Sequence, residues 1–550
     1  HTGYPIFISS IKKNRMHKAL FAWLKCAAYA LVVCTSGATH ALTQADALAL
    51  VDGDSGDRIT VLNRLASGDD TVAHGVIRAM AQDRLRKDNG RVFIMNDTAL
   101  RDALNDQVVA VTAEMEEVMV NNRIRGALEI ALAGLDIVGA DPERQLQAAR
   151  SLQRAAFDSP EDAPIALLQK ALGQPGLAPD TQHILALSVA AVALASEDPA
   201  VRLAAAHKLG EAKRPVVRPL LMQRQAVETD AGVQVALKSS LAAVDRALAI
   251  SRTLAELFTG ISLGSILLLA ALGLAITYGL MGVINMAHGE LIMVGAYATW
   301  WIQTIFKQQL PQYFDAYLLA AVPISFLVAA LVGVVMERTV IRYLYGRPLE
   351  TLLATWGISL VLMQTVRTLF GAQNVGVENP SWMSGNVLLM GNLSLPWNRI
   401  VIVGFALAVL AGVAWVISTT RMGLFVRGVT QNRPIAACMG VNTARIDTYA
   451  FALGSGVAGL AGCALSQIGN VGPDLGQNYI VDSFMVVVLG GVGQLAGTVY
   501  AALSLGILNK FIEGWAGAVL AKIAVLVFII VFIQKRPQGM FAMKGRSAES

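Results

Sequence analysis

Charge is scarce in this chain: 15% of its 550 residues are Asp, Glu, Lys or Arg, whereas 55% are hydrophobic. That balance is too apolar for an ordinary soluble globular protein, and the length allows more than one domain. The net charge of +5 is small for this size, and no zinc-finger, basic-helix or aromatic RNA-binding pattern occurs, so nucleic acid is excluded as a partner. Cysteine is nearly absent. Of the four present, Cys26 and Cys34 lie near one end and Cys438 and Cys463 far downstream, so the polar region between them gains nothing from disulfides. Histidine is equally sparse: after His207 the sequence has only His288, and no Cys/His cluster has metal-ligand spacing. A G-x-x-x-x-G-K-[ST] phosphate loop is missing, which removes the usual way of holding ATP. Gly260 to Gly264 fits G-x-S-x-G, but it opens an apolar helix without a His or Asp partner. No catalytic residue, metal or cofactor is therefore expected.

What is present falls into two parts. Residues Gln44 to Arg252 are rich in Asp, Glu, Arg and Gln, and Leu257 to Ile533 is a succession of long apolar runs. Residues 1–15 carry no interpretable pattern. From Met16 a short basic region with Lys18 and Lys25 precedes an apolar core and small residues ending at Ala41. This is a secretory signal pattern over 16–41, with removal after Ala38 or Ala41, and it puts the following domain outside the cytoplasm. Across 42–255 the apolar residues recur at helical spacing, predicting an all-helical soluble domain. Asp141-Pro142 followed by Leu146, Ala148, Ala149 and Leu152 matches Asp198-Pro199 followed by Leu203, Ala205, Ala206 and Leu209. An Asp-Pro start with an Ala/Leu face opens stacked helical repeats of the HEAT kind, so the domain reads as repeat-like and suited to a partner; an irregular helical bundle fits nearly as well.

The apolar part, 256–536, divides into eight or nine membrane segments of about 20 residues, making the chain a polytopic all-α membrane protein. They fall near Leu257–Ile276, Gly282–Ile302, Tyr317–Met336, Leu352–Phe370, Ile400–Ile417, Tyr449–Ile468, Phe484–Leu495, Thr498–Ile512 and Val519–Ile533. Arginines concentrate in alternate loops: Arg338, Arg342 and Arg347 in one, Arg421, Arg427, Arg433 and Arg445 in another, with Lys535, Arg536, Lys544 and Arg546 at the end. The positive-inside rule makes these loops and the 537–550 tail cytoplasmic, and counting back puts Arg252 outside.

One stretch breaks the pattern. Between Thr277 and Trp300 the apolar run carries Gly279, Gly282, Gly289 and Gly295 together with Asn285, His288 and Glu290. Unpaired polar groups in lipid cost several kcal/mol, roughly, so a broken segment lining a solute path is the expectation; a polar belt at the headgroups is the alternative. Asn285 and His288 are expected to meet the solute, and Glu290 to anchor the break. A second interruption, Gly490, Gly491, Gly493 and Gly497, suggests a site built from paired breaks. Gly454, Ala458 and Gly462, one turn apart, predict close helix packing.

The loop Arg421 to Asp447 contains Arg433 and then Ala436, Ala437 and Gly440 in the order A-A-x-x-G, a small-residue face followed by a turn. With YGLMGVINMAHGE at Tyr278–Glu290, FALGSGVAGLAG at Phe451–Gly462 and VVVLGGVGQLAGT at Val486–Thr498, the chain resembles the permeases of branched-chain amino acid type ABC importers. The signal pattern, the long helical domain and the ending RPQGMFAMKGR make it most similar to the urea permease subunit with an N-terminal periplasmic domain. The resemblance implies a second permease subunit, two cytoplasmic ATPase subunits that bind the ATP, and a periplasmic solute-binding protein. It also implies that Arg433, Ala436, Ala437 and Gly440 belong to a loop that docks on an ATPase. Urea or a short amide is the expected solute, with a branched-chain amino acid next; the path would be Asn285, His288, Glu290, Gly490, Gly491 and Gly493. The alternative is a self-contained channel or secondary transporter with an external helical binding module, which would need no docking loop.

Overall fold

The computed structural model describes residues 42–541 apart from 89, 97–98, 106, 110–114, 140 and 390–392. The expected signal segment and residues 1–15 lie outside that range, as does most of the tail. Two compact units divide between Arg246 and Ala247.

The first unit opens with α1 (Gln44–Asp52), α2 (Ser55–Ser67) and α3 (Thr71–Ala81). Each starts on an oxygen-bearing cap, Thr43, Asp54 or Asp70, that accepts an otherwise unpaired backbone N–H, worth about 1 kcal/mol each. Here the expected all-helical domain is corrected. β1 (Leu85–Asp88), β2 (Arg91–Asn96), β3 (Ala99–Asp102), β4 (Val108–Val109) and β5 (Glu116–Glu117) form an antiparallel sheet in the order β4-β3-β2-β1-β5. Its first hairpin pairs Asp88 with Arg91, and Gly90 has φ +74°, a conformation that suits a tight two-residue loop. The strands are short and carry Arg86, Lys87, Asp88, Arg101 and Asp102, which dilutes the alternation that identifies a strand.

Six helices follow: α4 (Asn122–Asp136), α5 (Pro142–Asp158), α6 (Ile165–Leu172), α7 (Pro179–Ala193), α8 (Pro199–Ala212) and α9 (Val217–Val227). The two Asp-Pro starts behave alike. Asp141 accepts from Glu143 N at 3.0 Å and Asp198 from Ala200 N at 2.8 Å, and Ala148, Ala149 and Leu152 are buried just as Ala205, Ala206 and Leu209 are. Arg202 of α8 reaches both oxygens of Glu228, at 2.8 and 2.7 Å, and Arg224 adds a third bond at 2.9 Å.

The second unit begins within α10 (Ala231–Met281), at Ala247, and continues through α11 (His288–Gln309), α12 (Tyr317–Thr339), α13 (Pro348–Phe370), α14 (Trp397–Thr419), α15 (Arg421–Gln431), α16 (Arg433–Cys438), α17 (Thr443–Ser466), α18 (Leu475–Gly490), α19 (Leu495–Ala516) and α20 (Ala518–Lys535). Among the described residues seven helices are long and apolar enough to cross a membrane, lying in α10, α12, α13, α14, α17, α19 and α20. The other two expected segments correspond to α11, which starts at His288 rather than Gly282, and to α18, which starts earlier than Phe484 and is only 16 residues long. A small hairpin, β6 (Asn386–Leu389) and β7 (Leu393–Pro396), lies between α13 and α14.

At the centre of this unit is α17. From Gly454 to Ser466 it is buried throughout, because small residues let its neighbours approach at backbone distance. Gly454 lies on Gly273 and Thr277 of α10, Gly459 on Ser325 and Ala329 of α12, and Gly462 on Ile292 of α11. The expected packing role of Gly454 and Gly462 is what the helix crossings display.

Candidate functional site

Helix α10 stops at Met281 because Gly282 takes φ +65°, a left-handed conformation that glycine adopts without steric cost. Residues 282–287 are then non-helical until α11 starts at His288. The exposed backbone of this break is held from α13: Met286 N donates to the Thr355 hydroxyl at 3.2 Å. Asn285 Oδ1 turns the chain by accepting from Ala287 N at 3.1 Å.

Asn285, His288 and Glu290 are all buried, with 1%, 0% and 1% of their surface exposed. His288 Nε2 lies 2.9 Å from the Ala270 carbonyl and donates to it, which leaves Nδ1 as an acceptor. Glu290 Oε1 accepts from the Ser359 hydroxyl of α13 at 3.0 Å. Yet Asn285 Nδ2, His288 Nδ1 and Glu290 Oε2 have no hydrogen-bond partner among the described residues. One donor and two acceptors are thus collected within six residues, each costing about 1–3 kcal/mol while unmade.

The second break is built differently. Helix α18 ends at Gly490, Gly491 and Gly493 adopt φ +99° and +79°, and α19 starts at Leu495. Gly490 packs on Gly497, Gly491 on Phe541, and Gly493 on Gly279. A Cβ on Gly279 would sit 2.6 Å from Gly493 Cα, so the two breaks meet at the end of α10. His288 touches α10 at Gly273 and Ala270, about 9 to 14 Å back along the helix from Gly279 at 1.5 Å per residue. The polar residues and the glycine hairpin therefore occupy successive levels. Helix α18 joins them, since Gly476 near its start lies on Gly289.

The Arg-rich loop folds into α15 and the short α16, capped by Asn432, whose side chain accepts from Ile435 N at 3.1 Å. Gly440 turns the chain at φ +84°. Its two alanines part ways: Ala436 is buried with Val426, Val429, Ile446 and Ala450, while Ala437 is exposed between Ile435 and Met439, themselves 60% and 79% exposed. Arg433 is half-exposed and turns toward α17, paired with Asp447 and lying 5.1 Å over the Tyr345 ring.

Sequence reasoning does not reveal the groups that receive Arg433. Glu337 at the end of α12 is fully buried and accepts from Thr448 Oγ1 at 2.7 Å and from the Tyr345 hydroxyl at 3.2 Å, with Arg342 Nε at 3.8 Å. Burial, together with the Asp447 and Glu337 carboxylates, pushes the Tyr345 hydroxyl well above the usual tyrosine range, so it remains a donor. A second cluster joins the other helix ends. Tyr317 and Gln303 both donate to the Glu378 carbonyl at 2.8 Å. The only advance signal for either cluster is a carboxylate or amide inside an apolar run.

Residues 256–534 match the family described as the permease component of branched-chain amino acid transport systems. The high-affinity branched-chain amino acid transport system permease protein BraD of Pseudomonas aeruginosa is 27% identical over 293 residues, 52% of this chain and 95% of its own. The corresponding LivH protein of Escherichia coli is 27% identical over 294 residues, 52% of this chain and 94% of its own. A shorter match, 28% over 112 residues, links 19% of this chain to 35% of the ribose import permease protein RbsC of Haemophilus influenzae. No solved structure matches.

Proposed function

Because this chain belongs to the family of permease components of branched-chain amino acid transport systems, we propose that it is the membrane-spanning subunit of an ATP-driven importer that passes a small polar solute along the break between α10 and α11. The observation that carries this reading is the set of buried atoms Asn285 Nδ2, His288 Nδ1 and Glu290 Oε2 without partners. A neutral solute with both N–H and C=O groups satisfies a donor and acceptors together, and urea or a short amide has that chemistry. A second reading, a branched-chain amino acid, is favoured by the names of the relatives.

ATP is hydrolysed on two separate cytoplasmic subunits, a second permease subunit completes the path, and a periplasmic binding protein delivers the solute. The exposed surface made by Ile435 and Ala437 of α16 and by Met439 just after it supports docking on such an ATPase and weighs against a self-contained channel. In this reading the protein sits in the bacterial inner membrane, with the Arg-rich loops in the cytoplasm and the first unit in the periplasm as a repeat-like surface for a partner. Uptake of radiolabelled urea and of radiolabelled leucine by cells with and without the gene tests the proposal. Gene-dependent uptake of urea supports the first solute and of leucine the second; no change in either overturns both.

A further inference from the structure

The inward face of α16 leads to the break. The Arg433 guanidinium covers the Tyr345 ring at 5.1 Å, and the Tyr345 hydroxyl lies 3.2 Å from Glu337 Oε1 and 3.3 Å from Met281 Sδ. Its single proton goes to the carboxylate, the stronger acceptor, so the sulfur is a packing contact. Met281 is the last residue of α10 and precedes Gly282, where the helix breaks. On the other side, Asp447 holds Arg433 and Thr448 holds the second oxygen of Glu337.

We propose that Arg433, Tyr345 and Glu337 form the mechanical link that carries movement of α16 to the α10–α11 break, with Tyr345 as the positioning residue between them. The inference rests on reading α16 as the ATPase-docking element. Its physical basis is all-or-none. A fully buried carboxylate is tolerated only while its hydrogen bonds are made, so a shift of α16 that drags Arg433 and Tyr345 must either carry Glu337 along or leave a buried charge short of a donor, and Met281, packed on the Tyr345 hydroxyl, is displaced with it. The second option is the costly one. The ends of α10 and α12, the start of α17 and the whole of α16 consequently move as one body, and the break, whose glycine is free to rotate, absorbs the displacement.

The test uses the complex purified with the subunits that accompany this chain, reconstituted in vesicles. Solute moved per phosphate released is measured for radiolabelled urea and leucine in parallel. Tyr345→Phe keeps the ring under Arg433 and removes only the hydroxyl. It should leave phosphate release within about twofold and lower the transport-to-hydrolysis ratio by about fivefold or more, a coupling loss that a general folding defect would not imitate. Thr448→Val, which removes the other donor to Glu337, should lower the same ratio, and it decides the matter if Tyr345→Phe does not assemble. Crosslinking through the exposed Cys438 of α16 separates the two readings. A crosslink to the ATPase with an unchanged ratio in both variants overturns the link and leaves docking intact; absence of any crosslink overturns both.

Discussion

Gly273 and His288 meet so closely that a methyl group on Gly273 would lie 2.8 Å from His288 Cε1. The missing side chain is what allows the imidazole to approach α10 and reach the Ala270 carbonyl. Gly273→Ala must therefore push the ring away or spread α10 from α17, since the same methyl also meets the Gly454 carbonyl. Overpacking of this kind costs about 1–3 kcal/mol. The expected outcome is a lower yield of folded protein in detergent and, in what is recovered, a loss of uptake. Normal yield with normal uptake would mean the ring's place on α10 is unimportant.

Asn285 and Glu290 are separated by their partners. Asn285→Ala and His288→Ala each remove a group with an unpaired atom whose other contact is to backbone alone, so both should reduce uptake about tenfold while the protein remains inserted and assembled. Glu290 is tied to Ser359 across α11 and α13, and Glu290→Ala leaves that hydroxyl unanswered. Its main effect should be on the amount of assembled complex. Initial uptake normalised to complex recovered from membranes distinguishes the two, and three variants that transport normally would move the solute path elsewhere.

The break between α10 and α11 is legible in the sequence because glycines weaken the helix of an apolar run while an amide, an imidazole and a carboxylate interrupt it, and lipid penalises those three polar groups. What fixes it is not legible. Thr355 and Ser359 lie 69 residues from their partners Met286 and Glu290, on a helix whose other polar residues, Gln364 and Arg367 among them, are as prominent in the sequence, and Glu337 lies 111 residues from Thr448; serine and threonine within a membrane helix ordinarily bond their own backbone, as Thr365 does to the Val361 carbonyl. The glycines at 490–497 are legible as a break, but whether they line a path or pack a hairpin depends on Gly279 and Phe541, which are remote in sequence. In the first unit the dipeptide Asn89-Gly90 signals the hairpin, while two-residue strands such as β4 and β5 leave no pattern at all.

The exposed surface of α16 makes a charge test possible. Ala437 is exposed beside Ile435 and Met439, so Ala437→Glu should leave the fold unaffected and place a desolvated charge in a contact with an ATPase. Misfits of this kind cost several kcal/mol. Gly440→Arg acts in another way, since φ +84° is unfavourable for any side-chain-bearing residue. Both should reduce co-purification of ATPase and uptake together. Unimpaired transport in either would remove this loop as the coupling element.

Cys438 reports on orientation without any added label site. It is exposed as the last residue of α16, whereas Cys463 is buried in α17. In vesicles carrying this subunit alone, a membrane-impermeant maleimide should label Cys438 when the cytoplasmic face is outward and not in intact spheroplasts; Cys438→Ser should abolish the signal. Labelling from the opposite side would invert the orientation and place the first unit in the cytoplasm.

The pH dependence of the first unit should centre on Glu228. Its carboxylate accepts from Arg202 at both oxygens, from Arg224, and from the backbone N–H groups of Thr229 and Asp230 at 3.1 Å. The Arg202 hydrogen bonds, first among these, hold its pKa down from 4.5 to about 2. Because the folded value lies below the unfolded one, the stabilisation is complete above about pH 4.5, declines as the pH falls, and is gone below about pH 2. Hydrogen exchange of the amides in α8 and α9 of the full chain, corrected for the intrinsic rate at each pH, measures this directly. Protection should fall through that window in the wild type. The Glu228→Gln variant should start with roughly tenfold weaker protection at neutral pH and show a flatter profile, since the amide has no charge to lose and leaves the Arg202 guanidinium without its counter-charge. An identical pH profile in the two proteins would assign the acid sensitivity to other carboxylates of the unit, Asp46 and Asp70 first, whose pKa values are also lowered.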